Sequence, residues 1–531
     1  MFLAMVSFKG YGVGILPQPL SVSYGKGSFS LGQQVVLLSP GRLANERRAL
    51  EEMLLGEFGL VLGKPAVRNG IIVLSFERRL QAELGLEGYQ IVVAGDSVVI
   101  SSAGSAGIFY GIQSLRQLIK KNSDGGLTVP QVTIKDRPRF AKRIFMLDEG
   151  RHFKGMQVVK SVLDEMAVLK MNTFHWHLTE DQGWRIQIKK YPLLTSVGGF
   201  RDSTESSGWG AKVKTFKRER HGGFYKQEEI REIVAYAAAR HIEIIPEIDM
   251  PGHSTAAIAA YPWLSASGQQ IPVAANWGVL PNAYNVADPK VMGFLKDVLS
   301  EVMDLFPSKI IHIGGDEVDY SSWKNSAMVT GFMSDKKLSS PAELQMWFTG
   351  EIAGFLSARG RTQMGWNDIM GKKLLDHFNT DSADYKVGLK LAPEAIVHFW
   401  LGDKTMMVDA IRGGHQVVNA FHKNTYFNYG YDQISLAQAY GFEPVPAGLS
   451  SAESSLVLGV SCQLWSEYVS DVETMNYQLF PRLAANAEVG WTAAGNKDYS
   501  SFTSRLNYFL SRWKDKGIIY SPVDNMNEQK K

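Results

Sequence analysis

From Arg143 onward the chain repeats one unit: a short apolar stretch ending in polar or aromatic groups. Eight strand candidates follow one another, Arg143–Asp148, Asn172–His177, Ile242–Glu247, Ile310–Gly314, Thr362–Asn367, Ala395–Trp400, Gln416–His422 and Val457–Leu464. Amphipathic helical stretches fall between several of them, at Met156–Leu169, Gln227–Arg240, Val291–Leu305, Pro341–Arg359 and Leu401–Arg412. Eight βα units in succession predict a (β/α)8 barrel, an α/β fold. This region has about 370 residues against roughly 250 in a typical barrel, and the surplus sits in loops after the second, third and eighth strands. Long loops at that end shape substrate pockets. An open doubly wound sheet is the competing architecture, disfavoured because no Gly-rich phosphate loop follows any strand.

The first 139 residues have a different texture. Short β-branched stretches at Gln34–Leu38, Gly70–Ser75, Tyr89–Val93 and Ser97–Ser101 alternate with turns and two helical stretches, Asn45–Phe58 and Ala106–Lys121. That mixture predicts a small α+β domain over residues 1–139, preceding a catalytic barrel over 140–522 and a polar tail over 523–531. Thr133–Arg139 reads as the linker, since Pro138 discourages both helix and central strand.

Charge excludes some partners. Lys plus Arg number 56 and Asp plus Glu 53, so neither nucleic acid nor a membrane surface is strongly attracted, and no apolar run is long enough to span a bilayer. The one local excess of base, Lys212–Arg220, reads as a solvated loop. A single cysteine, Cys462, rules out an internal disulfide and a cysteine-based metal site. The apolar start, Met1–Ser7, has no basic residue before it and does not read as a signal peptide. Nothing in the chain specifies an oligomeric state.

Chemistry gathers at the strand ends, where barrel enzymes carry it. The apolar run Ile310-Ile311-His312-Ile313 closes on Gly314-Gly315 and then on adjacent carboxylates, Asp316 and Glu317. Adjacent acids disfavour each other's ionisation, so one stays protonated near neutral pH, and a carboxyl acid beside a carboxylate is what glycosidic cleavage requires. Trp366, Trp400, Trp465 and Tyr426 stand at other strand ends and suggest a box for a small apolar group such as an N-acetyl methyl. Arg151, Asp181 and Glu467 would supply charged hydrogen bonds to sugar hydroxyls. A metal site built from His175, His177, His253 and Asp181 is the rival reading. Aromatic density and the lack of an HxxEH-type helix argue against it, so no metal or other cofactor is expected.

Six motifs in order then resemble glycoside hydrolase family 20, the β-N-acetylhexosaminidases, over nearly the whole chain. They are Leu147–Phe153 (LDEGRHF), His175–Arg185 (HWHLTEDQGWR), Ile245–His253 (IPEIDMPGH), His312–Glu317 (HIGGDE), Gly365–Asp368 (GWND) and Leu464–Glu467 (LWSE). The resemblance implies substrate-assisted retaining hydrolysis of terminal β-linked N-acetylhexosamine, in which the sugar's acetamido oxygen attacks C1 to form an oxazolinium. It casts Glu317 as the general acid and later base, Asp316 as the partner of the acetamido nitrogen, and Tyr426 as donor to the acetamido oxygen. Trp366, Trp400 and Trp465 wall the methyl group, and Arg151 and Glu467 contact the C3, C4 and C6 hydroxyls. Asp181, preferred over Glu180, pairs with His253 to orient Glu317.

One departure stands out. The family usually has Asp two residues after the Tyr of the seventh strand, and here Tyr426-Phe427-Asn428 places Asn. A carboxylate would repel a sugar sulfated at C6, whereas Asn would not, so 6-O-sulfated N-acetylglucosamine is an expected further substrate. Disaccharide release of the lacto-N-biosidase kind, a silent carbohydrate-binding protein and a metal-dependent hydrolase are the alternatives. The motifs do not separate gluco from galacto epimers. Extracellular glycans or chitin fragments as substrates imply a periplasmic or secreted protein.

Overall fold

The computed structural model describes residues 14–63, 70–208, 210–374 and 381–522, so Met1–Ser7 and the tail at 523–531 lie outside the described residues. Contacts divide the chain into two compact units. Among the described residues, the first holds 14–63 and 70–139, a short piece at Ala167–Lys170, and Ala487–Ile518. Its strands are β1 (Ser21–Leu31), β2 (Val36–Leu38), β3 (Ile71–Phe76), β4 (Tyr89–Val93), β5 (Ser97–Ser102), β6 (Lys120–Lys121) and β7 (Leu127–Asp136). They form one sheet in the order β1-β7-β4-β5-β3-β2, with β6 beside β7. Helices Ala44–Phe58 and Ser105–Leu118 pack on each other, and the second also packs on the sheet.

Two expectations for this unit need correction. Thr133–Asp136 is strand, not linker: Thr133 pairs with Val92 and Ser23, and Asp136 pairs with Tyr89. Pro138 restricts only itself and its predecessor, which leaves the ladder intact to Asp136. Buried Asp136 accepts hydrogen bonds from Tyr89 (2.5 Å), Trp491 Nε1 (2.9 Å) and Lys170 Nζ (3.1 Å). Losing it would remove three hydrogen bonds from buried groups, one of them to the Lys170 ammonium. Strand β1 has no counterpart in the sequence reading, because Gly25 and Gly27 interrupt its alternation. They host an irregularity between Tyr24 and Ser28, with Gly27 at φ +105°.

The sequence reading assigns 140–522 to the barrel, whereas Ala487–Ile518 groups with the first unit. Helix Tyr499–Asp515 buries Phe502, Leu506, Phe509 and Trp513 at helical spacing. Within the same unit Arg505 forms a double ion pair with Glu488 at 2.6 and 2.7 Å, and Trp491 meets Tyr110 edge-on at 5.2 Å.

The second unit is the barrel. It begins with β8 (Lys142–Asp148) and β9 (Thr173–His177). Three two-stranded ribbons decorate the loop that follows: β10 (Thr179–Glu180) with β11 (Gly183–Trp184), β12 (Phe200–Arg201) with β15 (His221–Gly222), and β13 (Thr204–Glu205) with β14 (Phe216–Lys217). Then come β16 (Glu243–Glu247), β17 (Ile310–His312), β18 (Thr362–Trp366), β19 (Ile396–Phe399), β20 (Val417–Asn419) and β21 (Val457–Leu464). The ring closes in the order β16-β17-β18-β19-β20-β21-β8-β9, all parallel. All eight strand candidates of the sequence reading are these strands, with ends moved by up to three residues. Residues 211–220, which hold the basic run, are exposed throughout.

Strand alternation builds the interior in layers. Ile144, Ile245, Ile310, Met364, Ile396 and Val418, each from a different strand, form one buried apolar cluster. Burying one such side chain contributes about 1.5–3 kcal/mol. Two residues further along β16, β17, β18 and β19 come Glu247, His312, Trp366 and His398, on the same inward face and also fully buried. The apolar plug therefore supports a polar layer, and the strand ends lie just above it.

Candidate active site

Glu247 is the hub of that polar layer. Its carboxylate lies 3.0 Å from His175 Nε2, 2.5 Å from His177 Nδ1 and 2.9 Å from His312 Nδ1, and accepts a 2.9 Å hydrogen bond from Trp366 Nε1. Burial opposes its ionisation, but the surrounding His312, His177 and His175 outweigh that and hold its pKa well below the usual range. Trp366 stacks on His398 at 4.3 Å and 16°, which fixes its ring at the bottom of the pocket. The rival metal set does not assemble. His175 groups with His312 and His398, His177 with Glu247 and Asp249, and His253 with Glu180 and Asp181.

Above this layer the chain after β17 makes a turn that glycine alone tolerates. Gly314 and Gly315 have φ of +64° and +90°. A Cβ on Gly314 would stand 1.9 Å from Asp249 Oδ1, and one on Gly315 would stand 2.6 Å from Ile369 Cγ2. The close approach lets Gly315 N donate to Asp249 (3.2 Å). Gly314→Ala is expected to destabilise the fold by at least about 1 kcal/mol, read from urea unfolding, because positive φ and the clash act together. Unchanged stability would show that the turn relaxes. Glu317 (φ +52°) and His253 (φ +46°) also hold left-handed backbone, rare for such residues and concentrated at functional sites.

The turn delivers Asp316 and Glu317 to the rim beside His253. His253 Nε2 lies 3.9 Å from Asp316 Oδ2 and 3.7 Å from Glu317 Oε2. On its other edge, His253 Nδ1 is 3.2 Å from both Glu180 and Asp181. Burial disfavours the imidazolium, yet Glu180 and Asp181 overcome it and raise the pKa well above 6.5. Asp181 is itself held by Thr255 N (2.9 Å) and Thr255 Oγ1 (2.5 Å), while Glu180 pairs with Arg151 at 2.5 Å. Glu180, set aside in the sequence reading, thus shares His253 with Asp181 and links it to Arg151.

Four carboxyls crowd this spot. Burial, reinforced by Asp249, Asp368 and Glu317, pushes Asp316 well above the carboxylate range against the pull of His253. Burial and Asp368 likewise raise Glu317 to about 7, and burial brings Asp249 to about 8 and Asp368 to about 6. Both Asp316 and Glu317 are pushed upward, because two further acids share their pocket. Asp249 and Asp368 are absent from the predicted site residues, although both stand at strand ends within the quoted motifs. Asp368 accepts from Glu317 N (3.3 Å) and from Trp400 Nε1 (2.9 Å), tying the acid to an aromatic wall.

That wall is continuous. Ring centroids step from Trp366 to Trp465 (5.7 Å), to Tyr426 (6.1 Å) and to Trp400 (5.9 Å, planes nearly parallel at 7°). Across the rim Arg151 reaches Asp148 (3.2 Å), Glu180 and Glu467 (3.7 Å), and lies over the Trp465 ring at 5.1 Å. Asn428 is half-buried beside Tyr429 in the loop after β20. Several buried polar atoms of this group, Arg151 Nε, His253 Nε2, Asp316 Oδ1, Asn428 Oδ1 and Glu467 Oε2, have no hydrogen-bonding protein partner. Buried polar groups are rarely left so, and five on one rim mark a place built to bind a polar ligand.

The sequence pattern described as "Glycosyl hydrolase family 20, catalytic domain" matches residues 140–494, and "Glycosyl hydrolase family 20, domain 2" matches residues 12–137. The chain is 34% identical to a Porphyromonas gingivalis protein named beta-hexosaminidase, over 96% of this chain and 64% of that one. It is 35% identical to a Vibrio furnissii beta-hexosaminidase over 76% of this chain and 65% of the other. It thus spans slightly under two thirds of those relatives' length. Among solved structures, a Vibrio harveyi GH20 exo β-N-acetylglucosaminidase in complex with N-acetylglucosamine superposes with a TM-score of 0.81. That match has 30% identity and covers 96% of this chain and 78% of that one.

Proposed function

Because this chain belongs to glycosyl hydrolase family 20, we propose that it is an exo-acting retaining β-N-acetylhexosaminidase. It would remove terminal β-linked N-acetylglucosamine or N-acetylgalactosamine from glycans. The observation that carries this reading is the convergence of a proton-rich acid pair, an aromatic wall and unpartnered polar atoms on one barrel rim. Membership also supports the substrate-assisted route. The acetamido oxygen attacks C1, Glu317 protonates the departing oxygen, and the same carboxylate then takes a proton from water. Asp316 faces the acetamido nitrogen, Tyr426 donates to the acetamido oxygen, and Trp366, Trp400 and Trp465 enclose the methyl. Burial raises the Tyr426 hydroxyl well above its usual value, which keeps it a donor across the working range. His253, held cationic by Glu180 and Asp181, steadies the acid pair, and Arg151 and Glu467 hold the C3, C4 and C6 hydroxyls. Glycans outside the cell are the matching substrates, which puts the site of action in the periplasm or beyond. Among the described residues no helix is long and apolar enough to cross a membrane.

The test is hydrolysis of 4-nitrophenyl N-acetyl-β-glucosaminide and its galacto epimer, with and without exhaustive chelation. Turnover of either that survives chelation is the expected result. No turnover would remove the reading, and turnover lost on chelation would transfer the case to the metal-dependent alternative.

A second reading concerns Asn428. Its Oδ1 is buried without a protein partner, and it stands where the family resemblance calls for Asp. A neutral amide there admits a C6 sulfate that a carboxylate would repel. Asn428→Asp is expected to lower kcat/KM on the 6-sulfated glucosaminide by about tenfold or more, a cost of about 1.4 kcal/mol. The unsulfated substrate should change far less. An equal response of both substrates would defeat the idea.

A further inference from the structure

The chain's excess of positive charge is concentrated on one arm. Residues 212–220 (KVKTFKRER) have five basic side chains against one acid, a larger surplus than the whole chain's net +3, so the rest of the molecule is slightly acidic. Charge gathered in this way on a near-neutral protein makes a local positive field that attracts a polyanion. Every residue from 211 to 220 is exposed. Val213, 78% exposed, and Phe216, 43% exposed, stand between the cations, so the arm offers apolar faces as well as charge.

The arm is held at its base. Ribbon β13–β14 pairs Thr204 with Lys217 and Glu205 with Phe216. Ser206 N donates to Thr215 O (2.8 Å), and Arg201 Nε donates to Thr204 Oγ1 (2.8 Å). Buried Glu205 accepts from Trp277 N (3.0 Å) and Lys214 Nζ (3.0 Å). Arg220 lies over the Phe200 ring at 4.5 Å, and Lys217 pairs with Glu219. Lys212 and Arg218 are left without an ion-pair partner among the described residues.

This arm stands beside the candidate active site. Lys217, Glu219 and Arg220 line a cavity of about 600 Å³ whose wall also includes Glu467, on the rim after β21. Glu205, Glu219, Glu467 and Asp471 outnumber Lys217 and Arg220 there, so a polyanion is disfavoured inside the cavity. Lys212 and Arg218 do not line it, and their charge is open to a partner on the surface.

We infer that residues 212–220 form a docking surface for a sulfated polysaccharide, held beside the barrel rim. Lys and Arg bind sulfate esters through charge-assisted hydrogen bonds, and Val213 and Phe216 cover the apolar CH faces of the sugars between them. Sulfate is favoured over carboxylate by the neutral amide of Asn428, which tolerates sulfate on a terminal sugar, and a polymer sulfated at its end is commonly sulfated along its length. That choice rests on the reading of Asn428, whereas the charge of the arm does not. A membrane surface fits less well, because two exposed apolar side chains without an amphipathic helix give little to bury in it. Nucleic acid fits less well, because the arm adjoins a pocket whose residues suit a sugar.

The experiment measures binding of desialylated keratan sulfate, whose anions are sulfate esters, by isothermal titration calorimetry. Excess N-acetylglucosamine is present to occupy the pocket. Wild type is expected to bind, and about tenfold or more less tightly at about 0.5 M salt than at about 0.05 M. Lys212→Glu combined with Arg218→Glu should raise Kd about tenfold or more. The same double variant should keep its unfolding temperature, and its kcat/KM on 4-nitrophenyl N-acetyl-β-glucosaminide should stay within about twofold of wild type, because both positions are exposed and unpaired. No binding by wild type, or equal binding by the double variant, overturns the inference. Hyaluronan, which has carboxylates alone, double-stranded DNA and phosphatidylglycerol vesicles are the comparison probes. Any of them bound as tightly as keratan sulfate overturns it in favour of that partner. Keratan sulfate binding by a protein inert on the 4-nitrophenyl glycoside upholds the docking surface and removes only the hexosaminidase reading.

Discussion

Glu317→Gln is expected to lower kcat on substrates with poor leaving groups by about 10²–10⁴-fold, the usual worth of a positioned general acid. Glutamine keeps the shape and can still hydrogen-bond, but it has no proton acidic enough to give up. Activated aryl glycosides, whose leaving oxygen needs little protonation, should lose much less in the first step. Equal losses on both kinds of substrate would show that Glu317 acts through position alone. The pH profile gives an independent check. Glu317 is raised to about 7, first by burial and then by Asp368, against the pull of His253 and Arg151. The protonated form is the acid, so wild-type kcat/KM on poor leaving groups should fall as pH rises through about 7, and the Gln variant should lack that limb. Stability moves in the corresponding sense. A carboxyl with a folded pKa of about 7 and an unfolded value near 4.5 favours the fold while protonated, and loses that advantage as pH rises through about 7. A permanently neutral Gln loses nothing, so at pH 8 the variant should unfold at a temperature no lower than wild type.

The second large effect is expected for Asp316→Asn, a loss of about 10²–10³-fold in kcat, comparable to removing one preorganised electrostatic partner of a transition state. In the ligand-free pocket burial and the neighbouring Asp249, Asp368 and Glu317 push Asp316 toward its protonated form, against the pull of His253. A cation forming on the acetamido nitrogen reverses this balance, because a carboxylate is then the favourable state. Asn cannot make that response. A thiazoline mimic of the oxazolinium should therefore bind wild type far more tightly than product does, and the variant should lose most of that preference. Undiminished thiazoline affinity in the variant would remove Asp316 from this role. Because Asp316 and Glu317 share one pocket, their losses should not add, and the double variant should fall short of the product of the two.

Much of the barrel was legible because its signals are local. The run Ile310–Ile313 ahead of two glycines marks a buried strand and a tight turn within eight residues. Strand β1 was not legible, because Gly25 and Gly27 erase the alternation that signals a strand, and its ladder depends on β7 a hundred residues away. Glu247 appeared in the sequence only as one acid of a strand-end motif. Its four partners come from β9, β17 and β18, so its place at the hub has no local signature. Asp368 looked like a neighbour of Trp366 and became the link between Glu317 and Trp400.

Within the barrel the sequence by itself determined which residues face inward, where each strand stops to within three residues, and which side chains stand near its end. Two-residue alternation, apolar runs and glycine turns are properties of neighbours along the chain. Only the tertiary structure decided which of those ends meet. It set His253 between Glu180, Asp181 and the acid pair, gathered four carboxyls at one spot on the rim, and opened a cavity beyond Glu467. Those distances depend on the register in which eight strands close into a ring, and the energy that sets register is summed over side chains far apart in the chain.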